Sequence, residues 1–214
     1  MRIQTLRQPA SILLALALCM ALQMTSFATI LPLFARRFES FGTGVEALSA
    51  SSMAYALTST FAAPFIGMLA DRIGRRPAIL LSLAAYVLAF SGYLLAVTAW
   101  QMIVLRGLAG VFTAGLLPAI TSLVGDIAPE SRRAQWIGIV NGGASAGWIL
   151  GPLLGGLLYD RFSYVAPFAA AIGMNAVALL LAGFTIHDTT KPGSQPSRCL
   201  PGGHFYYSCS SPLV

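Results

Sequence analysis

The sequence predicts an all-α membrane protein whose chain crosses the bilayer six times. Of its 214 residues, 57% are hydrophobic and only 9% are charged, whereas soluble domains carry about 25% charged residues. So few charges cannot form the polar surface of a soluble domain. Six runs reach the roughly 20 mostly apolar residues that a membrane-spanning helix needs. They cover residues 11–35, 47–70, 78–98, 102–125, 134–158 and 164–186.

The first run follows a short N-terminal segment, residues 1–10, that contains Arg2 and Arg7. A cleaved signal peptide has a similar charged start, but its apolar core is only about 7–15 residues long, and this run is far longer. We therefore expect a first span that is retained in the protein. It carries a patch of polar side chains, Gln23, Thr25, Ser26 and Thr29.

The distribution of arginines along the chain predicts its orientation. One side of the membrane would carry Arg2, Arg7, Arg72, Arg75, Arg76, Arg132 and Arg133, and the other side Arg36, Arg37 and Arg161. Short loops rich in Lys and Arg stay in the cytoplasm. We therefore expect a multi-pass protein of the plasma membrane with both termini in the cytoplasm. The net charge of +6 then reflects this topology and not nucleic-acid binding.

The turn between the second and third spans concentrates charge in an otherwise apolar region. Its sequence is GMLADRIGRRPAIL, residues 67–80. Gly74 permits a tight reversal, and Pro77 suits the first turn of the next helix, where its missing N–H costs nothing. A simple positive-inside anchor requires arginines, but it does not explain Asp71, Gly67 or the order of the residues.

That order resembles a known signature. The pattern G-x-L-x-D-R-x-G-R-[KR], found between the second and third helices of the major facilitator superfamily, is matched at every defined position by Gly67, Leu69, Asp71, Arg72, Gly74, Arg75 and Arg76. The resemblance implies a conformational latch, in which loop arginines hold Asp71 facing the end of a helix in the opposite half of a transporter. It also implies the fold, half of a facilitator.

The fourth run contains Arg106, the one formally charged residue inside the six runs. With Gly110 and Ala114 it resembles the R-x-x-Q-G-x-G-x-A motif of the same helix in antiporters, although Ala109 and Phe112 depart from that motif. An arginine inside a membrane is costly, which favours a functional role. Two interpretations stay open: the guanidinium reaches the outer interface along its own stem, or it faces a cavity.

The fifth run repeats small residues at steps of four. Its sequence GASAGWILGPLLGG starts at Gly143, and such a stripe on one helix face lets another helix approach closely. Pro152 removes one backbone hydrogen bond and should loosen or bend the helix. The arrangement resembles the fifth-helix signature of drug/proton antiporters, which would be formed by Gly147, Gly151, Pro152, Gly155 and Gly156.

Two short sequence echoes support inverted three-helix repeats, the architecture of facilitators. ATILP, which ends at Pro32 in the first run, reappears as AGLLP, which ends at Pro118 in the fourth. PFIGMLADR, Pro64 to Arg72 at the end of the second run, is echoed by PLLGGLLYDR, Pro152 to Arg161 at the end of the fifth, with one residue added. We therefore expect spans one to three and spans four to six to be related by inversion.

Substrate contacts follow only loosely from the sequence. The candidates for a substrate cavity are Gln23, Thr25, Tyr55 and Asn141, although polar residues in such helices often bond their own backbone or a neighbouring helix. No Asp or Glu lies inside the six runs, so a proton-carrying carboxylate would have to come from elsewhere. Gly143 to Gly147 also match G-x-S-x-G, but no run contains a histidine that could activate Ser145.

The last segment, residues 187–214, is rich in Pro, Gly and Ser and is expected to be an irregular tail. We interpret residues 11–186 as the N-terminal half of an alternating-access transporter, most similar to proton-coupled multidrug exporters. It would work in the lipid bilayer on a small molecule, together with a second six-helix half or a second copy, and without an enzyme activity, a cofactor or a metal. The alternative is a truncated or non-transporting helix bundle that acts as an assembly partner.

Overall fold

The computed structural model describes residues 9–186, which fold into seven α-helices and no strand. The helices are α1 (Pro9–Ser40), α2 (Val45–Ile73), α3 (Arg75–Leu95), α4 (Ala99–Thr113), α5 (Leu116–Ile127), α6 (Arg133–Arg161) and α7 (Val165–Thr185). A short 3-10 turn, Glu130–Arg132, precedes α6. Since α4 and α5 together form the fourth span, this part of the chain has six helical segments that are long and apolar enough to cross a membrane. The predicted fold class is confirmed.

Five of the six spans extend past at least one end of their apolar runs, by up to one and a half turns, and the sixth lies within its run. The first span, for example, ends at Ser40 and includes Arg36 and Arg37. An apolar run stops at its first charge, whereas backbone hydrogen bonding continues through charged residues that reach the polar headgroups. The sequence therefore predicts the number of spans well and their ends less well.

The fourth span is interrupted, which the apolar run from 102 to 125 did not predict. Two turn residues, Ala114 and Gly115, separate α4 from α5. Pro118 lies four residues after Ala114 and cannot donate a hydrogen bond to its carbonyl oxygen, so the helical ladder breaks there. The first span stays helical through Pro32 at the matching place. At the position that corresponds to Gly115 in the fourth span, the first span has Thr29. Glycine is the weaker helix former of the two.

The six spans form an open arc in the order second, fourth, third, sixth, first, fifth, in which each span packs against the next. If span one is exchanged with span four, two with five and three with six, the same order is read from the other end. Every pair of neighbouring spans is therefore still a pair of neighbours after the exchange. The packing therefore has the symmetry that inverted three-helix repeats require.

The second and fifth spans stand at the two ends of the arc. Their most apolar stretches are only 6% and 22% buried, compared with 33–50% for the other four spans. The middle of the arc holds the core, in which Phe34 meets Tyr93 edge to face at 5.1 Å between ring centroids. One face of the bundle, between the second and fifth spans, is therefore left open.

The turn between the second and third spans forms as the sequence predicts. Gly74 alone separates α2 from α3, and its φ of 99° is a left-handed value that only glycine adopts easily. Pro77 lies in the first turn of α3, where it removes no helical hydrogen bond.

Candidate functional site

The charged turn is tied to two other spans through its arginines. Arg75 forms an ion pair with Asp126 at the end of α5, and its Nη1 donates a hydrogen bond to the carbonyl oxygen of Ser122 at 2.9 Å. Arg76 Nη2 donates to the carbonyl oxygen of Gly183 in α7 at 3.2 Å. The start of the third span is thus held against the fourth and sixth spans.

Two other residues of the turn, Gly67 and Arg72, lie on the side that faces away from the rest of the bundle. Arg72 is exposed, and a Cβ added to Gly67 would meet nothing within 4 Å. The close helix approach that the resemblance implies at Gly67 is therefore not made inside this bundle. The side chain of Asp71 lies outside the described part of the structure, so its expected role as the held carboxylate stays a prediction.

The fifth span crosses the first span backbone to backbone. The glycines Gly147, Gly151 and Gly155 are buried along one face of α6. A Cβ on Gly147 would lie 2.7 Å from the amide nitrogen of Thr25, one on Gly151 would lie 2.8 Å from the Thr25 carbonyl oxygen, and one on Gly155 would overlap the carbonyl oxygen of Thr29. No side chain larger than hydrogen fits at these positions without displacing the first span.

The remaining two residues of the fifth-span motif do not take part in this crossing. Pro152 is exposed inside the continuous helix α6, and a Cβ on Gly156 would have no neighbour within 4 Å. Any contact that requires Pro152 or Gly156 must therefore come from outside the described residues.

Arg106 lies in a box of aromatic rings. Its guanidinium carbon is 5.0 Å from the ring centroid of Phe27, 4.6 Å from that of Phe34 and 4.9 Å from that of Tyr55. The side chain is only 5% exposed, so it does not extend to the membrane interface. Rings at this distance attract a cation, and the attraction is stronger where water is excluded. The structure thus supports an inward-facing arginine held by the first two spans.

Gly110, the second residue of the fourth-span motif, marks where that span crosses the second. A Cβ there would overlap the hydroxyl of Thr58 and lie 2.6 Å from the carbonyl oxygen of Tyr55. The hydroxyl of Tyr55 lies 3.3 Å from that of Thr113 on the fourth span. Tyr55 therefore contacts the fourth span through its backbone and its side chain.

The predicted cavity residues separate into two groups. Thr25, Tyr55 and Asn141 are partly or fully exposed. Gln23 is 1% exposed and lies inside the bundle. Thr25 donates its hydroxyl proton to its own helix at Ala21, the ordinary behaviour of threonine in a helix. The structure therefore does not bring Gln23 together with the other three.

A second group of contacts, made by Arg37, lies at the opposite edge of the bundle. Arg37 Nη2 donates to the carbonyl oxygen of Ala96 at 2.8 Å, and its guanidinium lies over the rings of Phe41 and Tyr164 at 4.6 and 4.7 Å. Burial raises the pKa of Tyr164, and the positive charge of Arg37 partly opposes that rise. Arg37 therefore joins the ends of the first, third and sixth spans.

Sequence reasoning missed several residues that the structure brings to these sites. Asp126 was not predicted as the partner of Arg75, although it is an acid at the end of a span on the same side of the membrane. The aromatic box was also missed, because Phe27 and Phe34 look like ordinary apolar residues in the sequence. The rings of Phe27 and Trp148, on the first and fifth spans, have centroids 5.8 Å apart. This contact continues the aromatic side chains from the box to the fifth span.

Comparison with known proteins decides the family. A family model described as Major Facilitator Superfamily matches residues 13–199. The chain belongs to this superfamily. The resemblance seen in the turn between the second and third spans is therefore confirmed for most of the chain.

The similar curated proteins are named for drug resistance. The chain is 32% identical over 160 residues to the class E tetracycline resistance protein of Escherichia coli, covering 75% of this chain and 39% of that protein. It is 31% identical over 175 residues to the multidrug resistance protein MdtG of Salmonella dublin, covering 79% of this chain and 43% of that protein. The chain thus spans about two-fifths of the length of these curated relatives.

Solved structures share the fold. The human organic anion transporter MFSD10 (TETRAN) superposes with a TM-score of 0.71 at 22% identity, over 86% of this chain and 49% of that one. A bacterial homologue of the human lysosomal transporter Spinster superposes with a TM-score of 0.73 at 20% identity, over 92% of this chain and 47% of that one. At this identity the likeness establishes the half-facilitator fold and not the substrate.

Proposed function

We propose that this chain is the N-terminal half of a secondary transporter that exports small drug-like molecules in exchange for protons. It acts by transport and not by catalysis. The observation that carries the proposal is the open face between the second and fifth spans, where the aromatic cluster formed by Phe27, Tyr55 and Trp148 meets Arg106. A surface of aromatic rings, held from the inside by the buried Arg106, suits flat, partly polar molecules.

A second six-helix unit completes the cavity by covering this face. The relatives are more than twice as long as the matched region, and both terminal spans expose large apolar side chains, among them Leu57, Phe61, Leu153 and Leu157. The second unit is a separate half or a second copy of this chain. It also supplies the proton-carrying carboxylate, since acidic residues in the described spans lie near their ends.

The substrate class follows from the relatives and from the cluster. Tetracycline resistance and multidrug resistance proteins are the relatives by name, and tetracycline-like molecules with fused rings fit an aromatic surface. Thr25, Tyr55 and Asn141 line the same side and provide hydrogen-bonding groups. Asp71 acts as the latch carboxylate, held near the loop arginines in one state and released in the other, which biases the equilibrium between two states.

Cross-linking tests whether a second unit covers the open face. A photoreactive maleimide is attached in native membranes to an accessible cysteine introduced as Leu57→Cys or Leu153→Cys. Cys199 and Cys209 are replaced by serine, and the native Cys19 is kept because its side chain is buried. The matched control is Leu88→Cys on the third span, which is also exposed. Cross-linked protein is expected for the first two variants and not for the control. If all three behave alike, no unit covers this face, and the non-transporting bundle becomes the better interpretation.

Transport is then measured as tetracycline accumulation in drug-sensitive cells that express the chain with its partner. Asp71→Asn should slow export while leaving membrane insertion intact. Asp160→Asn, in the corresponding turn on the other side of the bundle, is the matched control and should export normally. Equal export by both variants would show that Asp71 is not a latch.

Labelling tests the proposed orientation, with both termini in the cytoplasm of a plasma-membrane protein. Ile73→Cys lies in the charged turn and Phe162→Cys in the turn after the fifth span, and both positions are exposed. An impermeant thiol reagent added to intact cells should label the cysteine at position 162 and not the one at position 73. The reverse pattern would mean that the chain is inserted the other way round.

A further inference from the structure

An apolar groove runs along the outside of the bundle between the third and sixth spans. Its volume is about 600 Å³, and its lining includes Leu80, Leu81, Ala84, Leu179, Leu180 and Gly183. These two spans form the middle of the arc, on the side opposite the open face. A second transporter half on the open face leaves this groove exposed to lipid.

One end of the groove is bounded by the charged turn. Arg76 donates its hydrogen bond to the carbonyl oxygen of Gly183, which itself lines the groove. Arg72 is exposed in the same turn. Within the described residues, this edge of the bundle carries five arginines and three acidic residues, namely Arg72, Arg75, Arg76, Arg132 and Arg133 against Asp71, Asp126 and Glu130. The net charge near this end of the groove is therefore positive.

We propose that this groove binds an anionic phospholipid, with one acyl chain along the third and sixth spans and the phosphate at Arg76 and Arg72. Basic pockets between transmembrane helices recognise anionic headgroups in this way. An acyl chain that leaves the bilayer for the groove stays in an apolar environment and gains only packing contacts. The headgroup contacts with the arginines therefore provide most of the preference for this lipid.

Gly183→Leu tests the acyl-chain part of the site. A Cβ at Gly183 meets nothing within 4 Å, so a leucine side chain can extend into the groove from an unobstructed Cβ, and leucine favours the helix more than glycine does. The backbone carbonyl that accepts from Arg76 is kept. Gly173→Leu is the matched control, because it lies in the same helix, its Cβ is also free of neighbours and it does not line the groove.

The measurement is native mass spectrometry of the full chain, purified in detergent and titrated with phosphatidylglycerol or with phosphatidylcholine. The unmodified chain should retain phosphatidylglycerol about fivefold better, as expected for one arginine near a net negative headgroup. Phosphatidylcholine has the same phosphate but no net charge. Arg76→Gln should remove that preference, whereas Arg161→Gln, on the opposite edge, should keep it. Gly183→Leu should lower the retained phosphatidylglycerol to the level of phosphatidylcholine, and Gly173→Leu should not.

Two results would overturn the proposal. Equal retention of both lipids by the unmodified chain would show that the arginines do not select the headgroup. Equal retention of phosphatidylglycerol by Gly183→Leu and Gly173→Leu would show that the lipid binds outside the groove.

Discussion

The inverted repeat relates two helix crossings, that of the first and fifth spans and that of the second and fourth, yet they are built differently. At the first–fifth crossing, three successive glycines of α6 face backbone atoms of Thr25, Ala28 and Thr29. At the second–fourth crossing, Gly110 alone meets a backbone carbonyl closely, and Gly115 faces the side chain of Ile66. Corresponding helices therefore cross in both repeats, but the residues that make the contact differ.

This difference has a physical consequence. A backbone cannot move out of the way of an added methyl group without shifting its whole helix, whereas a side chain such as that of Thr58 can change rotamer. The first–fifth crossing should therefore be the more rigid of the two. The second–fourth crossing borders the broken fourth span and is the more adaptable one.

Gly151→Ala should have the largest effect on stability, because its methyl group would overlap Ala28 and approach the Thr25 carbonyl oxygen at 2.8 Å. We expect the free energy of unfolding to fall by about 3 kcal/mol, the upper end for overpacking. Unfolding in mixed micelles, followed by tryptophan fluorescence, measures this. Gly156→Ala, with no neighbour within 4 Å, is the control and should be neutral or slightly stabilising. Equal stability of the two variants would contradict the tight crossing.

Gly110→Ala should destabilise the protein by about 2 kcal/mol. Its Cβ would lie 2.6 Å from the Tyr55 carbonyl oxygen, but the Thr58 hydroxyl that it also meets can rotate away. The control is Gly107→Ala, one turn earlier, whose nearest neighbour is a methyl group of Thr58 at 3.7 Å. The same unfolding measurement applies. If Gly110→Ala costs more than Gly151→Ala, the ranking of the two crossings is reversed.

Arg106→Lys keeps the charge but loses the flat guanidinium that lies over Phe27, Phe34 and Tyr55. We expect the free energy of unfolding to fall by about 1 kcal/mol, since the three ring contacts weaken but do not vanish. Because these rings belong to the first and second spans, the variant tests whether Arg106 links the two crossings. Arg36→Lys, an exposed arginine over one ring, Tyr159, should lose less. If both variants lose the same free energy of unfolding, burial in the aromatic box contributes nothing to stability.

Asp126→Asn should have the smallest effect on stability. The carboxylate is 58% exposed, and exposed ion pairs contribute about 0.5 kcal/mol or less. A double-mutant cycle with Arg75→Gln isolates the pair itself. A coupling energy well above 1 kcal/mol would show that the pair is shielded from water, as a covering second half would make it.

Local chemistry explains what could be predicted from the sequence. The six spans follow from apolar length, the turn at Gly74 and Pro77 from backbone conformation, and the inverted relation from two short echoes. The glycine stripe of the fifth span was predicted as a close-packing face, and the structure places three of its members against the first span. The echo at Pro32 and Pro118 did not indicate that the helix breaks only at the second proline, because the residue three positions before the proline differs, Thr29 in one case and Gly115 in the other.

A six-span membrane bundle with a charged facilitator-type turn can be predicted from the sequence alone, because bilayer thickness and backbone chemistry act locally along the chain. The folded structure was needed to show that Arg106 lies in an aromatic box, that Arg75 pairs with Asp126, and that Gln23 is buried while Tyr55 is partly exposed. These contacts join residues from different spans. Their geometry depends on how the helices cross, which no single stretch of sequence specifies.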